Sequence, residues 1–445
     1  MTAQHGRAAP AAPVAPIAPA APPGPVAPAG AAAPAGAPAG VPAMAGSRPR
    51  AHAPFAPPAE VPFCRTEITA EAQREALRVM ASGWVTMGAE SAAFETELAA
   101  WLGARHAIAV SSCTAAIEMA LTALDLPRGA PVLTPTLTFC GAVQAIVHAG
   151  LRPVLVDADE HTLTVTPEGV ARAARFAQRA GGGAAAMVIQ HMAGYPVDGA
   201  ALADAAGIPE DRVVEDAAHG LGAAAGGRPV GAASRAACFS FYATKNLPIG
   251  EGGAITTTDA GLAERLRRMR LHGMSGDAWR RYHRSGSWWY SVEEAGMKAN
   301  FTDLQAAIGR AQLRSLSRWQ QRRAELAGRY DALLAGIGGI ELPPRPASAR
   351  HAWHLYIVRI HHEAFGMHRD EVAASLARAG IGVSVHFIPV HHQPYFRRLL
   401  GPEQCGELPA ADRLFPKLLS LPLHPGMADS DVDRVCEALA GLASR

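Results

Sequence analysis

Residues 106–116, His106-Ala107-Ile108-Ala109-Val110-Ser111-Ser112-Cys113-Thr114-Ala115-Ala116, pass from an apolar β-type run through two serines directly into a helical pattern. Residues 106–111 read as a strand. Residues 115–124 read as a helix whose buried face is marked by Ile117, Leu121 and Leu124. The first amides of such a helix have no partner inside it, and its dipole favours an anion at that end. The turn therefore has two readings, a phosphate cradle or an ordinary Ser/Thr cap.

The same alternation continues outward. Strand-like runs at 131–136, 152–157, 186–191, 212–216, 236–241 and 253–257 are separated in several places by amphipathic stretches such as 198–206. Strands alternating with helices predict an α/β domain on a mostly parallel sheet, with ligands held at the carboxyl ends of its strands. A long helical stretch at 302–334 leads to Pro343, Pro344 and Pro346. Beyond them, strands at 354–360 and 382–387 and a helix at 369–378 predict a smaller α+β C-terminal domain. Upstream, 15 of the 35 prolines fall within residues 1–60. Proline fixes φ and removes a backbone donor, so this stretch reads as a disordered Ala/Pro-rich extension. The expected division is 1–60 for the extension, 61–320 for the large domain with a helical segment at its start, and 321–445 for the small one.

The 445 residues carry 41 Lys+Arg against 39 Asp+Glu, a net charge of +2, which gives no electrostatic case for a nucleic-acid partner. No apolar run reaches the roughly 18–20 residues that span a bilayer. The start has neither the charged segment nor the unbroken apolar run of a secretory signal. Cys64, Cys113, Cys140, Cys238, Cys405 and Cys436 form no CxxC pair and read as small apolar residues of a reducing compartment. The expectation is a cytoplasmic protein with neither membrane nor nucleic acid as partner.

Two segments carry the chemistry. Glu215-Asp216-Ala217-Ala218-His219 closes one strand, and its acids are either caps or ligand contacts. Ser240-Phe241-Tyr242-Ala243-Thr244-Lys245-Asn246-Leu247 places a lone lysine in an apolar stretch followed by Gly250-Glu251-Gly252-Gly253. Lys245 is either a surface residue on a turn or a Schiff-base amine. An ordinary lysine titrates near 10.4, so only about one in 2,500 is neutral at pH 7, and the second reading needs an environment that lowers that value. Taken together, the three pieces supply what pyridoxal 5'-phosphate requires: an anion site, a carboxylate for its pyridine nitrogen and an amine for its aldehyde. Gly220-Leu221-Gly222 with Gly226 misses the dinucleotide-binding spacing by one position.

At this point residues 62–442 strongly resemble the DegT/DnrJ/EryC1/StrS aminotransferases, pyridoxal-phosphate enzymes that act mostly on sugars. The resemblance runs through Gly83-Trp84-Val85-Thr86-Met87-Gly88, Val110-Ser111-Ser112-Cys113-Thr114-Ala115-Ala116 and Thr134-Pro135-Thr136-Leu137-Thr138-Phe139. It continues through Val214-Glu215-Asp216-Ala217-Ala218-His219, Ser240-Phe241-Tyr242-Ala243-Thr244-Lys245-Asn246, Gly250-Glu251-Gly252-Gly253 and Asn300-Phe301-Thr302-Asp303. It implies the aspartate-aminotransferase fold (fold type I) and a homodimer with shared active sites. By position it implies that Lys245 bonds the cofactor aldehyde and moves protons, and that Asp216 pairs with the pyridine nitrogen. Phe139 would stack on the ring and His219 lie beside it; Ser240 and the backbone of Cys113 and Thr114 would hold the phosphate, with Asn300 reaching that phosphate from the partner subunit. The implied reaction moves an amino group from glutamate to a nucleotide-linked keto sugar. A keto-cyclitol as acceptor, the formation of an aminated aromatic precursor, or a non-catalytic sensor or scaffold that binds the cofactor are the alternatives.

The remaining features are less specific. Arg280, Arg281 and Arg284, with Trp279, Trp288 and Trp289, read either as a substrate-clamping loop, with Arg280 as the substrate contact, or as a solvated one. His386 matches a substrate-side histidine segment of the family, with a structural role as the alternative. Arg265, Arg267, Arg268 and Arg270 read as an exposed basic face. His361-His362 and His391-His392 read as solvent-exposed, with no carboxylate or cysteine at recognisable spacing to complete a metal site.

Overall fold

A computed structural model describes residues 60–275 and 289–443. The helices are α1 (Ala70–Ser82), α2 (Ala89–Leu102), α3 (Cys113–Thr122), α4 (Cys140–His148), α5 (Pro167–Arg179), α6 (Gly199–Ala206), α7 (Ala260–Met269) and α8 (Asp303–Leu334). They continue with α9 (His362–Phe365), α10 (Arg369–Arg378), α11 (Pro394–Cys405), α12 (Pro409–Leu414) and α13 (Asp429–Ala443). The strands are β1 (His106–Val110), β2 (Pro131–Pro135), β3 (Arg152–Val156), β4 (Ala186–Gln190), β5 (Val213–Asp216), the hairpin β6 (Ala224–Ala225) and β7 (Arg228–Pro229), β8 (Ala236–Ser240) and β9 (Gly253–Thr257). Farther along come β10 (Ile340–Glu341), β11 (Tyr356–Ile360) and β12 (Leu418–Leu421).

Seven strands form one sheet in the order β1-β9-β8-β5-β4-β2-β3. Every pairing from β8 to β3 is parallel, while β9 runs antiparallel to both β1 and β8. Side-chain alternation along each strand supplies both faces. Val132, Val188 and Val214 pack with Ile117 of α3 and Ile146 of α4. Their neighbours Leu133, Ile189 and Val213 pack with Val170 of α5 and Leu202 of α6. A sheet covered on both faces needs unbroken apolar strands, which is why the sequence runs are β-branched rather than alternating. By the same alternation Asp216 falls on the α3 face with Val214, and Glu215 on the opposite face.

The second sheet is β10-β11-β12, antiparallel throughout. Tyr356 and Val358 pack there with Leu326 and Tyr330 of α8, Val372 of α10 and Leu439 of α13. The expected strand at 382–387 is absent. Ile381 bridges to Val61 and Ser384 to Ser420, so this backbone changes partner within three residues and never builds a ladder. The expected helix at 302–334 begins one residue later. Thr302 caps it in a reciprocal arrangement with Gln305.

The basic run of α7 is not an exposed face. Arg270 is 6% exposed and ion-paired with Glu95, while Arg265 is bonded to Asp125 (2.6 Å) and Glu294 (2.8 Å). Carboxylates from α2 and from neighbouring loops converge on this helix, a three-dimensional pairing that sequence spacing does not reveal. The histidine reading also needs correction. His391 is 3% exposed, and Asp412 accepts from both His391 Nε2 (2.9 Å) and His392 Nε2 (2.6 Å). The carboxylate that completes this three-group cluster comes from α12, 20 residues further on. The extension at 1–59, and Trp279, Arg280, Arg281, Arg284 and Trp288, lie outside the described residues. Among the described residues no helix is long and apolar enough to cross a membrane.

Candidate active site

The carboxyl ends of the parallel strands open into a cavity of about 520 Å³. Its walls include Ser112, Cys113, Thr114, Phe139, Asp216, His219, Ser240, Lys245 and His386, so the structure gathers these sequence candidates in one place. Asn300 does not line it. That residue bridges to Val110 at the end of β1 and accepts from Lys298 through its side chain.

The anion end is built by the β1–α3 turn. Ser112 caps α3 by accepting from the Ala115 amide (3.1 Å), which leaves the preceding helical amides, Cys113 and Thr114, at the cavity wall. β9 comes so close that a Cβ on Gly253 would lie 2.6 Å from the Cys113 nitrogen, and one on Gly141 would lie 2.8 Å from Thr114 Oγ1. Side chains are thus kept out of a backbone-lined recess whose dipole suits a phosphate. Ser240 adds a hydroxyl from the end of β8.

Asp216 closes β5 and is 4% exposed. Burial pushes its carboxyl above the usual range, while the Ala218 amide (3.1 Å) and the charge of Lys245 pull it back. The Cys113 thiol lies 3.8 Å from Asp216 Oδ1 and donates to the Cys238 carbonyl (3.2 Å). Burial holds that thiol well above its ordinary value, so it stays protonated beside the acid.

Lys245 follows β8 in a turn closed by its own amide donating to the Tyr242 carbonyl (2.9 Å). The residue is half-buried, with its open surface turned to the cavity it lines. Loss of water around the ammonium lowers its pKa from 10.5 to about 8, against the opposing pull of Asp216. About one amine in ten is then neutral at pH 7. Among the described residues no carboxylate forms an ion pair with it; its hydrogen-bond contact is His354 Nε2, at 3.5 Å.

On the opposite wall the sequence points to His219 and His386, through the family resemblance, and misses His354, Phe63 and Phe387. His354, which opens the run before β11, sits with its ring 4.3 Å from that of His219. Phe63 stacks on His386 at 5.6 Å, and Phe387 on His219 at 5.8 Å. His219, His354 and His386 are all held below the ordinary histidine range, chiefly by burial, with Lys245 adding to the effect. The one sequence signal available for His354 was a polar residue inside the apolar run Trp353-His354-Leu355-Tyr356-Ile357-Val358.

The profile of the DegT/DnrJ/EryC1/StrS aminotransferase family matches residues 66–440. The chain belongs to that family. It is 42% identical over 380 residues to the spore coat polysaccharide biosynthesis protein SpsC of Bacillus subtilis (strain 168), covering 85% of this chain and 96% of SpsC. The crystal structure of DesV from S. venezuelae superposes with a TM-score of 0.76 at 35% identity, over 87% of this chain and 99% of that one. The putative sugar aminotransferase Spr1654 of Streptococcus pneumoniae, in its pyridoxal-phosphate form, superposes with a TM-score of 0.77 at 26% identity, over 87% and 99%. The fold is that of the type I pyridoxal-phosphate enzymes, the cofactor of this family member is pyridoxal 5'-phosphate, and the enzyme is a transaminase. The residues present fit that group: an amide recess for the phosphate, a buried carboxylate, and an amine kept partly neutral.

Proposed function

We propose that the enzyme transfers an amino group from glutamate to a keto sugar carried on a nucleotide. The observation that carries the assignment of roles is Lys245, a cavity-facing amine whose pKa is brought down to about 8 beside a carboxylate that does not pair with it. Kinship with SpsC and with a putative sugar aminotransferase supports a sugar acceptor. The glutamate donor and the nucleotide handle follow from the family resemblance of the sequence.

In this reading Lys245 Nζ would hold the cofactor at its aldehyde and would carry the proton at the substrate carbon. Bound pyridoxal phosphate supplies the electron sink that makes a substrate C–H bond acidic. Asp216 would hold the cofactor's pyridine nitrogen in its protonated form, a counter-charge for this buried carboxylate. Ser240 and the Cys113 and Thr114 amides take the phosphate. Phe139 would stack on the cofactor ring and His219 would lie beside it. His386, held by Ser420 Oγ at 2.8 Å, faces the substrate.

The enzyme works in this proposal as a homodimer in the cytoplasm, with residues 61–320 as the cofactor domain and 321–445 as the small domain. Tyr242 and Ile388, exposed by 47% and 49%, are apolar surface for a second copy to cover. Asn300, which does not line its own cavity, would serve that copy's phosphate, as the family resemblance implies. The test is a mass-spectrometric screen of keto-sugar nucleotides with glutamate. Amino-sugar nucleotide and 2-oxoglutarate are the expected products, and no transfer across a broad panel overturns the reading.

A further inference from the structure

We infer that His354 is a positioning residue for Lys245: its Nε2 lone pair is the berth where the lysine amine rests whenever that amine is not bonded to the cofactor. The inference rests on the role given to Lys245 above and goes beyond it.

The tautomer follows from the hydrogen bonds. Asn246 Nδ2 donates to the carbonyls of Ala352 (2.9 Å) and Leu221 (3.3 Å), so Asn246 Oδ1 is free to accept. His354 Nδ1 lies 3.1 Å from that oxygen and must carry the proton. Nε2 is then a bare acceptor, 3.5 Å from Lys245 Nζ. The ring is 6% exposed and surrounded by Lys245, His219, Arg323 and His386, each of which opposes a second proton. His219 cannot serve in its place. Its Nδ1 accepts from the Ala193 amide (3.2 Å), which leaves Nε2 a donor with nothing to offer an ammonium.

The berth is fixed from behind. Arg323 of α8, 4% exposed, donates through Nη1 to the carbonyls of Trp353 (3.2 Å), His354 (3.4 Å) and Leu423 (2.9 Å). A buried guanidinium spent on three carbonyls is costly, and here it pins the backbone on both sides of the acceptor.

The chemistry needs such an acceptor. When the substrate C–H bond breaks, its electron pair stays with the carbon and the proton goes to Lys245 Nζ, which becomes an ammonium. That ammonium presents an N–H to His354 Nε2 and stays in place until it returns the proton. His354 itself neither gains nor loses one.

Two substitutions separate this role from simple anchoring. His354→Asn keeps a donor where Nδ1 meets Asn246 and removes the acceptor; His354→Gln places an acceptor near the Nε2 position and gives up the anchor. Competitive acetylation of the apoenzyme with peptide mapping reads the Lys245 midpoint directly. The Asn variant is expected to bring it below about 8, and the Gln variant to restore it. In the holoenzyme with Cα-deuterated glutamate, the Asn variant slows proton transfer on the order of tenfold, by loss of one hydrogen bond to a charged group, and enlarges the isotope effect. The Gln variant recovers most of the rate. The reverse order, or no shift in either variant, overturns the berth. Borohydride reduction still places the phosphopyridoxyl group on Lys245 in both variants. Its absence there in the unsubstituted protein instead overturns the assignment of Lys245, and this inference with it.

Discussion

Arg270 and Lys245 are both cations withdrawn from water, and the molecule treats them in opposite ways. Arg270 sits under α2 and β1, ion-paired with Glu95 and donating to the Ala109 carbonyl (2.9 Å), while Glu95 also accepts from the Ala109 amide (2.9 Å). Every charge in that seam has a partner. Lys245 has a neutral imidazole for a neighbour and a carboxylate that influences it without bonding it. The paired cation holds structure. The unpaired one gives part of its protons away, as the nucleophile role proposed for it requires.

That contrast can be broken at either end. The largest effect belongs to Lys245→Ala, expected to abolish turnover by about 10³-fold or more and to remove the imine absorbance, with no loss of thermal stability. A stability loss as large as that of a buried ion pair would place Lys245 with Arg270. Asp216→Asn comes next, at about 10²–10³-fold in kcat, because the ring nitrogen loses its fixed counter-charge; absorbance spectra of the reconstituted variant check that the cofactor still binds. Arg270→Met should lower the unfolding free energy by about 3 kcal/mol, by leaving Glu95 buried without a cation, as read by urea titration. Adding Glu95→Gln should return part of that loss, while the specific activity of the folded fraction stays level. The smallest effect is one of pH. Condensation of the cofactor with apoenzyme requires the neutral amine, whose fraction grows as pH rises through about 8. The stopped-flow rate should therefore rise about tenfold between pH 7 and pH 9 and then level off. A midpoint near 10.4 would mean that the cavity does not dehydrate the ammonium.

The sequence made one wall of the cavity legible from its own pattern and the other only in part, for a physical reason. Asp216 ends an unbroken apolar strand, and the Ser112 cap and Lys245 follow shortly after two others, where polar residues close the run. His354 and His386 come from irregular backbone, positioned by Arg323 and Ser420 rather than by any repeat, so His386 was named only through the family resemblance and His354 not at all. The same blindness misread Arg270 as exposed and left His391 without Asp412, since both pairings cross the fold. Residues 382–387 were β-rich in composition, but their hydrogen bonds go to two different partners, which no local pattern reports.

One element ties both walls together. Along α8, Gln305 donates to the Glu251 carbonyl (2.9 Å), Gln312 to that of Pro248 (3.1 Å), Gln320 to that of Leu221 and Arg323 to those of Trp353 and His354. The helix thus works like a camshaft whose lobes are these four side chains, spaced to meet successive loops along a single stripe. Adding or deleting a residue near its middle would turn the later lobes by about 100° and release the loops they hold, with every cavity-lining residue still present.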